Sequence, residues 1–214
     1  MRSGTLSRQI GGRLPLRAAL YLTLARIFIS PIFLVIYLKY QVFGLSLVSL
    51  PWVLLLLLAL SELSDLLDGF IARKWDQVTD LGKILDPMAD SIARISVFLT
   101  FTQGVVQLPL LLVLVFLYRD VVISMLRTLC ALRGVALAAR VSGKIKAVVQ
   151  GVAAFIILFL MMFYSWDYIS LAVLQSCSFY VVAVAALYTL CSGIEYIYAN
   201  RSFIRMAWSK NTPK

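Results

Sequence analysis

Histidine is absent from the 214 residues, and acidic residues number only ten against twenty basic ones. Without imidazole there is no His-ligated metal, and carboxylates become the leading bases. Cysteine is scarce: Cys130, Cys177 and Cys191 are scattered, odd in number and without metal-ligand spacing, so they read as apolar packing residues. Charged residues make up 14% of the chain, where a soluble domain carries about 25%. No long polar linker, repeat or low-complexity stretch divides the sequence, which points to a single membrane domain. No small-residue cleavage site follows the first apolar block, so that block is expected to be a retained span rather than a removed signal peptide.

Apolar sequence, by contrast, is abundant. Hydrophobic residues reach 62%, the mean hydropathy is +0.93, and the apolar residues fall into blocks of membrane-spanning length, which is about 20 residues as helix. The blocks predict an all-α integral membrane protein of six transmembrane helices in one bundle, at about 20–40, 48–74, 81–102, 108–132, 142–164 and 170–199. Residues 1–19, with Arg2, Arg8, Arg13 and Arg17 and no acid, form a basic segment that lies on the membrane surface or serves only as a topology signal. The spans occupy 20–200, and 201–214 is a basic tail.

The formal charge of +10 invites a nucleic-acid reading, but the basic residues cluster at helix ends. That placement suits orientation and contact with anionic headgroups. The N-terminal segment, the 73–83 turn, the 127–146 connection and the tail fall on one side, opposite Lys39 and Asp167. Both termini are therefore expected to face the cytoplasm, from the inner or cytoplasmic membrane.

Seven of the ten acids lie between Glu62 and Asp90, inside apolar surroundings. Asp65 with Asp68 (i, i+3) and Asp86 with Asp90 (i, i+4) each share one face of a helix. An ionisable group in a membrane segment is costly and so marks a functional site. Two carboxylate pairs on neighbouring helices would offer an oxygen-rich site to hard divalent cations. Spacing alone leaves two alternatives open: salt bridges to Arg73 or Arg94, and an aspartate-lined cation pathway. A transporter would continue its polar residues across the bilayer, whereas these carboxylates stop near one interface.

The stretch reads D-x2-D-G-x2-A-R-x8-G-x3-D-x3-D, filled by Asp65, Asp68, Gly69, Ala72, Arg73, Gly82, Asp86 and Asp90. It resembles the signature of the CDP-alcohol phosphotransferase family at every fixed position. The resemblance implies a CDP-linked donor, usually CDP-diacylglycerol, whose β-phosphorus is attacked by an alcohol while CMP leaves. It implies Asp65, Asp68, Asp86 and Asp90 as ligands of Mg2+ or Mn2+, as two ions, with Asp90 also the general base. Thr23, Asp65, Gly69, Arg73, Thr79 and Gly82 would contact the CDP moiety, although Thr79 also suits a helix cap, and Ala72 and Gly82 suit packing. A homodimer is also implied, with the third and fourth spans as the contact.

Arg119, Asp120, Ser124 and Arg127, followed by Gly143, Lys144, Lys146 and Gln150, resemble the phosphatidylglycerophosphate synthase branch. Its acceptor is sn-glycerol 3-phosphate, and Arg119, Arg127, Lys144 and Lys146 would hold the acceptor's phosphate. The plainer reading makes Arg127 and Lys144 membrane anchors and Arg119–Asp120 a structural pair. Ser91 stands where the branch usually has Lys, and Leu20 where it often has Asn, which keeps other acceptors open: inositol phosphate, phosphatidylglycerol, serine or choline.

Overall fold

Long apolar runs bounded by polar residues can satisfy their backbone groups internally only as helices. The computed structural model describes residues 13–74, 80–132 and 140–209, with side chains described for 26–64, 88–132 and 140–205. Among these residues there are seven helices and no strand: α1 (Arg13–Lys39), α2 (Leu50–Lys74), α3 (Asp80–Thr100), α4 (Leu110–Leu132), α5 (Val141–Ser165), α6 (Leu171–Ala199) and α7 (Arg201–Ser209). The six apolar blocks correspond to α1–α6. Among the described residues, α5 and α6 are long and apolar enough to cross a membrane, and Leu50–Ser64 of α2 is a shorter apolar stretch.

Two differences from expectation concern the ends. α1 starts at Arg13, inside the basic segment assigned to 1–19, and the tail forms the short helix α7. Both extensions are built on basic and mixed sequence without a long apolar run, so hydropathy does not reveal them. α3 starts at Asp80, one residue from the expected 81, and holds Pro87 inside it. The ring removes one backbone bond there, as does Pro31 inside α1.

The chain divides into two units, Met1–Thr100 and Phe101–Lys214. In the first, α1 packs against both α2 and α3. Its buried side chains recur at helical spacing: Leu50, Leu54 and Leu58 on α2, and Ala89, Ala93 and Val97 on α3. The buried stripe of α1 is mixed, with Arg26 and Ser30 continuing into Phe33 and Tyr37.

In the second unit, α6 packs against α4 and α5 and also touches α7. The buried stripe of α4 is Val113, Phe116, Asp120, Ile123 and Cys130. α5 buries Lys146 and Gln150 ahead of Ala153, Ala154, Ile157 and Leu158. α6 answers with Ala185, Ala186, Thr189 and Gly193, small residues that allow close approach. Among the described residues, the buried faces of α1 and α5 begin with polar groups, Arg26 and Ser30 on the one and Lys146 and Gln150 on the other, whereas that of α4 carries Asp120 in its middle.

Candidate active site

The helices expected to carry the aspartates are present. Asp65 and Asp68 lie in α2, and Asp86 and Asp90 in α3. The side chains of Thr23, Asp65, Asp68, Gly69, Arg73, Gly82 and Asp86, and Thr79 altogether, lie outside the described residues. Asp90 is within them.

Asp90 is partly buried, with its side chain 24% exposed, and it meets a cation on each side. Its Oδ1 accepts a hydrogen bond from Nη1 of Arg26, which reaches across from the buried stripe of α1. Its Oδ2 lies 3.7 Å from Nη2 of Arg94, one turn further along α3. The Nε of Arg94 is in turn 3.7 Å from Oε1 of Glu62 on α2. Arg26, Asp90, Arg94 and Glu62 therefore alternate in charge across α1, α3 and α2, and they neutralise one another. The ion pair with Arg94 that spacing left open exists at Asp90, beyond hydrogen-bond length.

Arg26 was not among the residues nominated from sequence. Its signal is a lone cation in the apolar run LTLARIFIS, with no acid within reach on its own helix. The partner is 64 residues away, so only the fold reveals it.

The second unit holds a second polar cluster. Nζ of Lys146 donates to both oxygens of Asp120, at 2.7 and 2.8 Å, and Nη1 of Arg119 donates to Oδ1 at 3.1 Å. The group is almost wholly buried, Asp120 being 7% and Lys146 5% exposed. Two cations against one carboxylate leave an excess of one positive charge. The Nε of Arg119 is buried with no hydrogen-bond partner. Its stem lies on the backbone of α6: a Cβ built on Gly193 would stand 3.0 Å from Cγ of Arg119, and one on Gly143 3.8 Å from Nη2.

Arg127, two turns along α4, is held by Tyr196 of α6. Its Nε donates to the tyrosine hydroxyl at 3.1 Å, and the guanidinium carbon lies 5.1 Å from the ring centroid. Lys144 is exposed at the start of α5. Of the four expected phosphate-binding cations, Arg119 and Lys146 share one carboxylate, Arg127 lies on Tyr196, and Lys144 faces outward. Tyr196 and Gly193 were also not nominated, since an aromatic and a glycine in an apolar span carry no local polar signal.

Comparison with known proteins bears on both clusters. The family model described as CDP-alcohol phosphatidyltransferase matches residues 16–188. A Bacillus subtilis protein named CDP-diacylglycerol–glycerol-3-phosphate 3-phosphatidyltransferase is 32% identical over 194 residues, covering 84% of this chain and 92% of its own. A Salmonella paratyphi A protein of the same name is 36% identical over 138 residues, covering 62% and 71%. A Streptomyces coelicolor protein named cardiolipin synthase (CMP-forming) is 42% identical over 99 residues, 46% of this chain. The chain spans only 44% of that last relative's length.

Proposed function

Because the family match extends over residues 16–188, the chain belongs to the CDP-alcohol phosphatidyltransferase family, and from this we propose that it makes an acidic phospholipid. It moves the phosphatidyl group of CDP-diacylglycerol to the hydroxyl of sn-glycerol 3-phosphate, giving phosphatidylglycerol phosphate and CMP. The observation that carries this reading is the filled aspartate pattern on α2 and α3 within a chain whose relatives in Bacillus and Salmonella bear that enzyme's name.

Residue roles follow from the chemistry. Four carboxylates in a chain without histidine make a hard-oxygen donor set, which fits Mg2+ or Mn2+. Asp65, Asp68, Asp86 and Asp90 would hold two such ions, which supply charge neutralisation on the donor's phosphates. Asp90 takes the proton of the attacking hydroxyl. To do so, one of its oxygens must exchange a guanidinium for the hydroxyl, while the remaining contact keeps the side chain oriented. Thr23, Gly69, Arg73, Thr79 and Gly82 contact the CDP moiety, with Arg73 offering a fork of donors to phosphate. Arg119, Arg127, Lys144 and Lys146 attract the acceptor's phosphate. Asp120 cancels part of the charge of Arg119 and Lys146, so Arg127 makes the most direct contact.

We place the six spans in the inner membrane, with both termini and the carboxylates on the cytoplasmic side, and we propose a homodimer. The Streptomyces relative favours one other acceptor, phosphatidylglycerol, for which the same transfer would yield cardiolipin.

The test is CMP release by the purified protein with CDP-diacylglycerol, Mg2+ or Mn2+ and a panel of alcohols. Glycerol 3-phosphate should support release, a chelator should abolish it, and either metal should restore it. Absence of CMP with every acceptor would reject an enzyme of this class. Faster release with phosphatidylglycerol or inositol phosphate would reject the acceptor assignment.

A further inference from the structure

Tyr196 is buried to 1% exposure, yet both its ring and its hydroxyl are turned on one cation of another helix. The contacts use Nε, and they hold the guanidinium carbon 5.1 Å from the ring centroid. Nη1 and Nη2 of Arg127 have no partner among the described residues. A guanidinium fixed at its inner nitrogen and against a ring presents its outer edge, two parallel N–H groups spaced to match two oxygens of a phosphate. Arg127 is only partly buried, as a side chain that meets a soluble ligand must be. The same stretch of α6 shapes the other arginine, since Gly193, one turn before Tyr196, admits the stem of Arg119 at near-minimal distance.

We infer that Tyr196 is a positioning residue that aims the Arg127 guanidinium at the acceptor's phosphate; this rests on the acceptor reading above. The charge of Arg127 would survive the loss of Tyr196, but the geometry of bidentate binding would not. Removing the hydroxyl should therefore weaken acceptor binding selectively.

The experiment compares full-length wild type, Tyr196→Phe, Arg127→Ala and the double variant in CMP release, varying glycerol 3-phosphate and CDP-diacylglycerol separately. Tyr196→Phe keeps the ring and should raise KM for glycerol 3-phosphate about 10- to 100-fold, the loss of one hydrogen bond to a charged group. The KM for CDP-diacylglycerol and kcat should change far less. The double variant should be no worse than Arg127→Ala alone, because the hydroxyl acts through Arg127. An unchanged acceptor KM in Tyr196→Phe, or a further loss in the double variant, would overturn the inference while the acceptor reading stood. Wild-type protein inactive with glycerol 3-phosphate would overturn both.

Discussion

Arg26 sits in the buried stripe of α1 at 2% exposure, and Asp90 of α3 stands opposite it. A buried cation without its counter-ion is far more costly than the pair itself is worth. Asp90→Asn should therefore do two separable things. It should abolish CMP release, and it should lower stability by about 3 kcal/mol by leaving Arg26 uncompensated. Adding Arg26→Met should recover much of the stability but none of the activity. Thermal unfolding in detergent, measured beside CMP release, checks this; losses that simply add in the double variant would show that the two side chains do not depend on each other. The aspartate was legible because its spacing to Asp86 is a local pattern, whereas the arginine's meaning lies in a partner on another helix. The cations of unit 2 show the same limit: the sequence gathers Arg119, Lys144 and Lys146 and offers Asp120 as a partner of Arg119, but only the fold shows that Asp120 also takes Lys146.

At the scale of helices, the apolar blocks locate α2, α4, α5 and α6 to within about two residues, since each run is long and ends at polar or turn-forming residues. The early start of α1 and the whole of α7 were not legible, because basic amphipathic stretches differ little from coil in hydropathy. The contribution of α6 was not legible for a different reason. Its residues 193 and 196 act as surfaces for arginines of α4, one by being small and the other by being aromatic. Gly193→Ala tests the first. The added methyl would stand 3.0 Å from Cγ of Arg119, so the arginine or the helix must shift, at a cost of about 1 kcal/mol. The expected result is a lowered melting temperature with a raised KM for glycerol 3-phosphate, and an unchanged KM for CDP-diacylglycerol. Gly143→Ala, whose methyl would sit at an ordinary 3.8 Å, should be milder in both.

For the whole chain, family membership and two helices of spanning character support a membrane enzyme, and six spans would return both termini to one face. A reporter that works only in the cytoplasm should be active when fused after Lys214 and inactive when inserted near Gly44, between α1 and α2; the reverse pattern would invert the proposed orientation. The pairing of Asp120 with Lys146 has a consequence for how such a chain is built. α4 carries Arg119 and Asp120 near the middle of its 23 residues, where an isolated acid or base opposes entry into hydrocarbon by about 2.5–3.5 kcal/mol. The lysine that relieves the aspartate is 26 residues further on, so it leaves the ribosome after α4 has emerged. If α4 spans as proposed, it should enter lipid most readily together with α5, because Arg119 covers only Oδ1 of the acid until Lys146 arrives to bind both oxygens.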